Sequence, residues 1–80
     1  MRLDKFLKVS RIIKRRTVAN EACDTEHILV NGRPAKAGYQ VKVGDILEIG
    51  FASHPLKVEV LEISENVSKA DAAAMYRQIV

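Results

Sequence analysis

The chain has 80 residues, of which 48% are hydrophobic and 29% charged, with a formal net charge of +3. This composition is typical of a compact globular protein and excludes the disordered and fibrous classes. Because the chain is shorter than a typical domain, we expect one domain over residues 1–80. So short a chain buries only a little over roughly 60% of its unfolded surface, so we expect a thin core without a deep catalytic cavity.

The charge is segregated along the chain. Residues 1–20 carry seven basic side chains against the single acid Asp4, a balance of +6, whereas residues 46–80 carry three basic and five acidic side chains, a balance of −2. Such a segment attracts a polyanion, for which nucleic acid and an anionic membrane are the candidates; the alternative is a solvated helix face. Ordinary solubility calls for interspersed signs, so we favour a polyanion.

The first predicted element is an amphipathic helix over about Leu3 to Val9. Leu3, Phe6 and Leu7 follow helical spacing and predict one inward face, while the basic residues fall elsewhere. This basic start of the chain lacks the apolar run of a secretory signal, and no stretch approaches the length of a membrane span. We therefore expect it to be part of the fold.

A second helix is predicted from Val18, with Thr17 as its N-cap, because the threonine hydroxyl can accept a bond from an unpaired backbone amide. The side chains on the inner face of this helix are small, which would let the two helices approach closely and brace the connection between them. The connection holds the basic cluster Lys14, Arg15 and Arg16, and the small inner residues are Ala19, Ala22 and Cys23.

Cys23 is the only cysteine, which excludes an intramolecular disulfide, and with His27 and His54 it cannot supply four ligands for structural zinc. We expect a packed thiol rather than a nucleophile, and no metal or cofactor. A small domain outside the cytosol would normally need covalent cross-links, so their absence favours a cytoplasmic protein.

A sheet is predicted after Glu26. Ile28 to Val30 reads as a short buried strand that ends at Asn31-Gly32, a strong signal for a tight turn. Pro34 limits the following segment to an edge strand or a bend. His27 is expected at a strand edge.

Two further strands are predicted from alternating apolar residues, over residues 46–51 and 56–60, joined by a hairpin at Ala52 to Pro55. His54 is expected to be exposed there. At Leu61 the apolar phase shifts by one residue, which indicates a bulge or the end of pairing.

The tail predicts a helix over about residues 68–79. Ser68 followed by Asp71 forms an imperfect capping box before an alanine-rich stretch. Whether this helix docks on the sheet or contacts a partner stays open. The predicted fold is α+β, with two packed N-terminal helices against a small, mostly antiparallel twisted sheet, a core within residues 1–63 and a short C-terminal helix.

Five separated stretches together resemble the S-four RNA-binding domain family, the module named after the fourth small-subunit ribosomal protein. They match over roughly residues 1–50, and their order makes the resemblance far more specific than any one of them. The stretches are Arg2 to Leu7, Arg15 to Ala19, Val30 to Gly32, Lys36, and Val43 to Ile46. The resemblance implies the alpha-L RNA-binding motif, in which a helix pair and the adjoining turn hold RNA.

The resemblance also implies the RNA-binding residues. Arg2 and Arg16 are the strongest candidates because they match the family's arginine positions. The full candidate set is Arg2, Lys5, Arg11, Lys14, Arg15, Arg16 and Thr17, extended around the turn by Asn31, Arg33 and Lys36. Glu26 stands where the family often has glycine, so the entry to the strand is expected to differ locally.

Stand-alone members of this family include the bacterial ribosome quality-control protein P type, which the chain resembles more, and the heat-shock protein fifteen type. The resemblance implies a non-catalytic adaptor on large-subunit ribosomal RNA and tRNA of stalled large ribosomal subunits, where alanine tails are added to nascent chains. It also implies a monomer off the ribosome, with other quality-control factors as candidate partners. A heat-shock-type recycling factor for blocked subunits carrying peptidyl-tRNA is the alternative.

Two other functions are weighed. A membrane-surface protein would need the apolar face of the first helix, which the core also needs. A fragment of an RNA-modifying enzyme or a synthetase would need a catalytic constellation, and none is evident. Asp4 has no neighbouring carboxylate, so we expect it to cap the first helix or to orient Arg2 or Lys5 rather than act as a catalytic acid.

The chemistry of the candidate residues suits folded RNA. Arginine binds phosphate through two parallel hydrogen bonds, and about six phosphate contacts predict a log-log salt slope of about −4 to −5. Aromatic residues are scarce, which disfavours binding by stacking on single strands. For Tyr39, a core position and a stacking surface are equally open.

Overall fold

The computed structural model describes residues 1–50, 55–65 and 67–79. A 3-10 helix over Ala73–Met75 precedes the last strand. The elements in chain order are α1 (Leu3–Val9), α2 (Arg16–Asp24), β1 (Ile28–Val30), β2 (Arg33–Pro34), β3 (Ile46–Ile49), β4 (Leu56–Val60), α3 (Lys69–Ala72) and β5 (Tyr76–Gln78). The predicted α+β class is confirmed.

Helix α1 has the predicted bounds and buries its apolar stripe completely. Leu3, Phe6 and Leu7 each have no exposed surface. The start of the helix has no side-chain cap; instead the backbone N–H groups of Leu3 and Asp4 donate to the carbonyl oxygens of Tyr39 (2.8 Å) and Ala37 (3.2 Å). The loop before β3 thus satisfies the amides that a helix start leaves unpaired.

Helix α2 begins earlier than predicted, at Arg16, so the prediction of Thr17 as its N-cap is wrong. Thr17 lies within the first turn, and Arg15 occupies the N-cap position without a side-chain hydrogen bond. The small inner face is confirmed, since it is buried and packs beside α1 in one core. Its residues are Ala19, Ala22 and Cys23.

The sheet is antiparallel throughout, with strand order β2-β1-β3-β4-β5. Alternate side chains point to one buried face, as the period of two predicts. That face joins the inner faces of α1 and α2 in a single hydrophobic core, and Arg33–Pro34 forms the edge strand expected from the proline. The inward-facing strand residues are Ile28, Val30, Leu47, Ile49, Val58 and Val60.

Two non-glycine residues take left-handed backbone at the ends of β1. Asn31 (φ 53°) and Gly32 (φ 85°) form the tight turn predicted between β1 and β2. Glu26 has φ 62°, and the N–H groups of Glu26 and His27 donate to the carbonyl oxygens of Cys23 and Ala22, which caps the end of α2. The expected local difference at Glu26 is therefore wrong, because glutamate adopts the conformation that glycine favours.

The C-terminal segment departs from the predicted helix over 68–79. Ser68 Oγ accepts from Asp71 N–H (3.2 Å), as the capping box predicts, but the helical backbone ends at Met75. Tyr76 then pairs with Val60, so that β5 adds to the free edge of β4 as the last strand of the sheet. Met75 is fully buried in the core, so this segment docks on the domain.

Strand β4 ends at Val60, but the N–H groups of Leu61 and Glu62 both donate to the carbonyl oxygen of Met75, at 2.8 and 3.2 Å, so the phase shift at Leu61 is bulge-like rather than the end of pairing. Part of the predicted hairpin at Ala52 to Pro55, including His54, lies outside the described residues, as does Phe51. Among the described residues, no helix has both the length and the apolar character needed to cross a membrane.

Candidate nucleic-acid interface

A buried carboxylate organises the two strongest candidate residues. Asp4 accepts hydrogen bonds from Arg2 Nε at 3.2 Å, from Arg16 Nε at 3.5 Å and from Asn20 Nδ2 at 3.2 Å. It also accepts from the backbone N–H of Lys5 at 2.8 Å. We call Arg2, Asp4, Arg16 and Asn20 the Asp4 cluster; it joins the start of α1 to the first turn of α2.

The Asp4 cluster keeps its carboxylate ionised. Burial alone would raise the pKa of Asp4, but hydrogen bonds from Asn20 and Arg2 and the charge of Arg16 outweigh burial and lower that pKa below its ordinary value. The expectation that Asp4 orients Arg2 agrees with this geometry. Two guanidinium charges against one carboxylate leave the Asp4 cluster with a net positive charge.

The two guanidinium groups stay accessible although they are held. The side chains of Arg2 and Arg16 are 49% and 46% exposed, whereas that of Asp4 is 3% exposed. Within the described part of the chain, the side chain of Arg16 donates a hydrogen bond only through Nε, so its two terminal nitrogens can donate to an external acceptor. Such a fork matches the oxygens of a phosphate.

The connection between α1 and α2 adds further cations. Arg11, Lys14 and Arg15 are exposed, and Arg11 has a left-handed backbone with φ 64°. The connection folds back on α1, since the N–H of Ile13 donates to the carbonyl oxygen of Leu7 at 3.0 Å. The candidate cations of this connection are therefore held on a short, anchored segment.

A second group of candidates lies around the turn after β1. Asn31, Arg33 and Lys36 line one open cleft together with Tyr39, which is partly exposed. The Asn31 side chain is used within the protein, because its Nδ2 donates to Asp45 Oδ1 at 3.1 Å and its Oδ1 accepts from the N–H of Ile46 at 2.9 Å. Arg33 and Lys36 are the exposed cations of this cleft.

Asp45 anchors this second group as Asp4 anchors the first. It accepts from Tyr39 Oη and from the N–H of Lys42, both at 2.9 Å. Burial would raise the pKa of Asp45, but the bonds from Lys42, Tyr39 and Asn31 lower it overall. The bond to Asp45 in turn raises the pKa of the Tyr39 hydroxyl, so the phenol stays protonated and its ring is fixed in place.

Lys5, another candidate RNA-binding residue, forms an ion pair with an acidic side chain from a distant part of the chain. Its Nζ lies 2.8 Å from Glu65 Oε1, in an exposed ion pair across 60 positions of sequence. Glu65 comes from the segment between β4 and α3, which sequence patterns did not place near α1. The hydrogen bond and charge of Lys5 lower the pKa of Glu65.

Two residues of this surface were missed by sequence reasoning. Lys8 is exposed and follows Lys5 by three positions on α1, a spacing that places both on one helix face. Asn20 follows Arg16 by four positions on α2, and the same rule explains why both reach Asp4. Lys8 lines a cleft of about 370 Å³, which we call the Lys8 cleft; its lining residues are Lys8, Val9, Arg11, Lys14, Glu65 and Val67.

The thiol of Cys23 offers no nucleophile at neutral pH. It is fully buried, and burial together with the negative charges of Asp4 and Asp24 raises the pKa of the thiol to about 11. The predicted packed thiol is confirmed.

Comparison with known proteins agrees with this geometry. The family model of the S4 (S-four) domain matches residues 1–47. A protein of Streptococcus pneumoniae described as "RQC P-site tRNA stabilizing factor" is 56% identical, covering 99% of this chain and 90% of that protein. A protein of Halalkalibacterium halodurans with the same description is 54% identical over 95% of this chain and 86% of its own length.

A solved structure, the trimeric heat shock protein 15 of Vibrio cholerae, superposes with a TM-score of 0.92 at 25% identity. The match covers 99% of this chain and 81% of that one. The S4 model spans the Asp4 cluster, the turn at Asn31-Gly32 and Asp45, which are the parts that organise the cationic surface. The chain belongs to the S4 domain family.

Proposed function

We propose that this protein is a non-catalytic RNA-binding adaptor that binds large-subunit ribosomal RNA and tRNA on stalled large ribosomal subunits. In this role it supports ribosome-associated quality control, in which alanine tails are added to nascent chains, and acts in the cytoplasm as a monomer off the ribosome. Other quality-control factors would be its further partners. The names of its relatives and the charge of residues 1–20 support this proposal.

One observation carries the proposal: Arg2 and Arg16 converge on the buried carboxylate of Asp4 and remain about half exposed. Folding, rather than RNA binding, then bears much of the entropic cost of ordering these long side chains. A folded RNA presents phosphates at fixed spacings, so prearranged guanidinium groups favour it over a mobile strand. Arg11, Lys14, Arg15, Arg33 and Lys36 would extend the contact.

A membrane-surface role fits the structure poorly. Leu3, Phe6 and Leu7 lie in the core with no exposed surface and Val9 is partly buried, so α1 has no free apolar face to insert into lipid. A recycling factor of the heat-shock type remains the second candidate, because the heat shock protein 15 structure shares nearly the whole fold. The two roles differ in whether binding supports continued tailing or release of the blocked subunit.

Sedimentation of cell lysate through a sucrose gradient tests the proposal. The wild-type protein is expected to sediment with the large subunit, whereas the Arg2→Ala and Arg16→Ala variants are expected to stay near the top of the gradient. Arg77→Ala is the matched control, because Arg77 pairs with a single carboxylate, Glu59, on β4; it is expected to sediment as wild type. Free migration of the wild type would refute the ribosomal assignment.

A further inference from the structure

The Lys8 cleft is a concave cationic site. The candidate RNA-binding residues include Arg11 and Lys14 of this cleft but not Lys8. It lies at the C-terminal end of α1, where Lys8, Arg11 and Lys14 meet the segment between β4 and α3. Within the described residues, the ion pairs of the protein involve none of these three cations. Their charges are therefore available to an external anion.

The end of α1 would normally repel an anion, because the last carbonyl groups of a helix carry partial negative charge. Here those carbonyls have donors: the N–H groups of Ser10, Arg11 and Ile13 donate to the oxygens of Phe6, Lys8 and Leu7. The left-handed backbone of Arg11 makes this turn possible. The carbonyl groups of Phe6, Leu7 and Lys8 are thus paired at the helix end where the three cations line the cleft.

Among the described residues, Glu65 is the only acid that lines the Lys8 cleft. Its side chain is 68% exposed and is held there by Lys5, at 2.8 Å. An ion pair this exposed is weak, since water screens it and two flexible side chains must be ordered to form it. A stronger anion can therefore replace Glu65 at little cost.

We propose that the Lys8 cleft binds a backbone phosphate of RNA through Lys8, Arg11 and Lys14, and that Glu65 competes with this phosphate in the free protein. Displacement of Glu65 releases Lys5 to join the contact. This inference rests on the proposed function and names a further contact of the same surface. The competing carboxylate weakens binding to isolated phosphates, so RNA that engages the Asp4 cluster at the same time is favoured.

The test measures binding of the full chain to purified large ribosomal subunits carrying peptidyl-tRNA over a series of KCl concentrations. Lys8→Gln is expected to weaken binding about 3- to 10-fold and to make the log-log salt slope shallower by about 0.7 to 0.9. Lys57→Gln, which removes the same charge from an exposed position of β4, is expected to change affinity by less than about two-fold.

Glu65→Gln is expected to tighten binding about 3- to 10-fold, and Glu62→Gln, an exposed acid of the same segment, to change it by less than about two-fold. Equal effects within each matched pair would overturn the inference, and so would weaker binding by Glu65→Gln. If Arg2→Ala and Arg16→Ala still lose binding in that case, the proposed function stands without the Lys8 cleft. If the wild type does not bind, both fail.

The same comparison with deproteinised ribosomal RNA distinguishes a phosphate from an acidic ribosomal protein as the anion. The Lys8→Gln effect is expected to persist on the RNA alone. Its disappearance both there and on free tRNA, with the effect retained on intact subunits, would assign the cleft to a protein and overturn the inference.

Discussion

Arg16 and Asp4 lie 12 positions apart in sequence, yet Arg16 Nε approaches Asp4 Oδ2 to 3.5 Å and ties the first turn of α2 to the first turn of α1. Asn20 strengthens this link through its own bond to the same oxygen, at 3.2 Å. The position of the Arg16 guanidinium therefore depends on a carboxylate that is itself nearly inaccessible to solvent.

Asp4→Asn should weaken RNA binding although it makes the protein more positive. The asparagine amide cannot accept all the bonds that the carboxylate accepts, so Arg2 and Arg16 lose their shared anchor. We also expect the free energy of unfolding to fall by about 1–3 kcal/mol, because a buried network loses its charged acceptor. Urea unfolding and tRNA filter binding measure the two effects.

The matched control for this change is Asp24→Asn, which removes one acid from an exposed position of α2. It should leave stability within about 0.5 kcal/mol of wild type, as is usual for surface substitutions. Tighter RNA binding by Asp4→Asn than by Asp24→Asn would show that net charge, rather than the placement of the arginines, decides affinity.

The free energy of unfolding should depend on pH through the carboxyl groups of Asp4 and Asp45. Their pKa values are lowered in the folded state from the ordinary value of 3.8, so the unfolded chain binds more protons as the pH falls. The free energy of unfolding should be level between about pH 7 and pH 5 and should decrease below about pH 4. Urea titrations at several pH values measure this profile.

Asp45→Asn should make the profile less steep below about pH 4, because one of the two groups that take up protons on unfolding is gone. Asp24→Asn serves again as the control, with a profile parallel to that of wild type. A profile for Asp45→Asn that is as steep as that of wild type would assign the acid sensitivity to other carboxylates.

Glycine at the two left-handed helix ends should separate stability from binding. Glu26→Gly and Arg11→Gly each relieve a positive φ and should raise the free energy of unfolding by about 0.5–1 kcal/mol. Glu26→Gly should leave RNA affinity within about two-fold, whereas Arg11→Gly removes a cation and should weaken binding about 3- to 10-fold. Parallel losses of affinity in both variants would argue against a role for Arg11.

Cys23 should be inert in the folded protein. Because burial raises the pKa of its thiol to about 11, a thiol reagent at pH 8 should react only after unfolding in urea. Ellman's reagent, added with and without denaturant, measures this directly. Rapid reaction of the native protein would mean that α2 opens readily from the core.

Most of the fold follows from local patterns. The bounds of α1 agree with the prediction because its apolar residues follow helical spacing. Those of β1 agree because its apolar run ends at the turn signal Asn31-Gly32. The start of α2 was misjudged because Thr17 offers a cap that the chain does not use; Arg15 takes the N-cap without a side-chain bond. Tyr76 lies in a strand rather than in the predicted helix because it pairs with the edge of β4. No local sequence pattern shows that pairing.

The candidate site was predictable in its charge and less so in its contacts. The basic residues between positions 2 and 16, apart from Lys8, were identified from composition and resemblance. The convergence of Arg2, Arg16 and Asn20 on Asp4 depends on how two helices pack, and the approach of Glu65 to Lys5 spans most of the chain. Contacts of this range are set by tertiary packing, so sequence spacing could not show them.

Photo-cross-linking tests the central claim most directly. A benzophenone side chain is placed at Arg15, an exposed N-cap residue on the cationic surface, or at Lys57, on the exposed face of β4. On large ribosomal subunits carrying peptidyl-tRNA, position 15 is predicted to cross-link to ribosomal RNA or tRNA and position 57 is not. RNA cross-links from position 57 with none from position 15 would contradict the account.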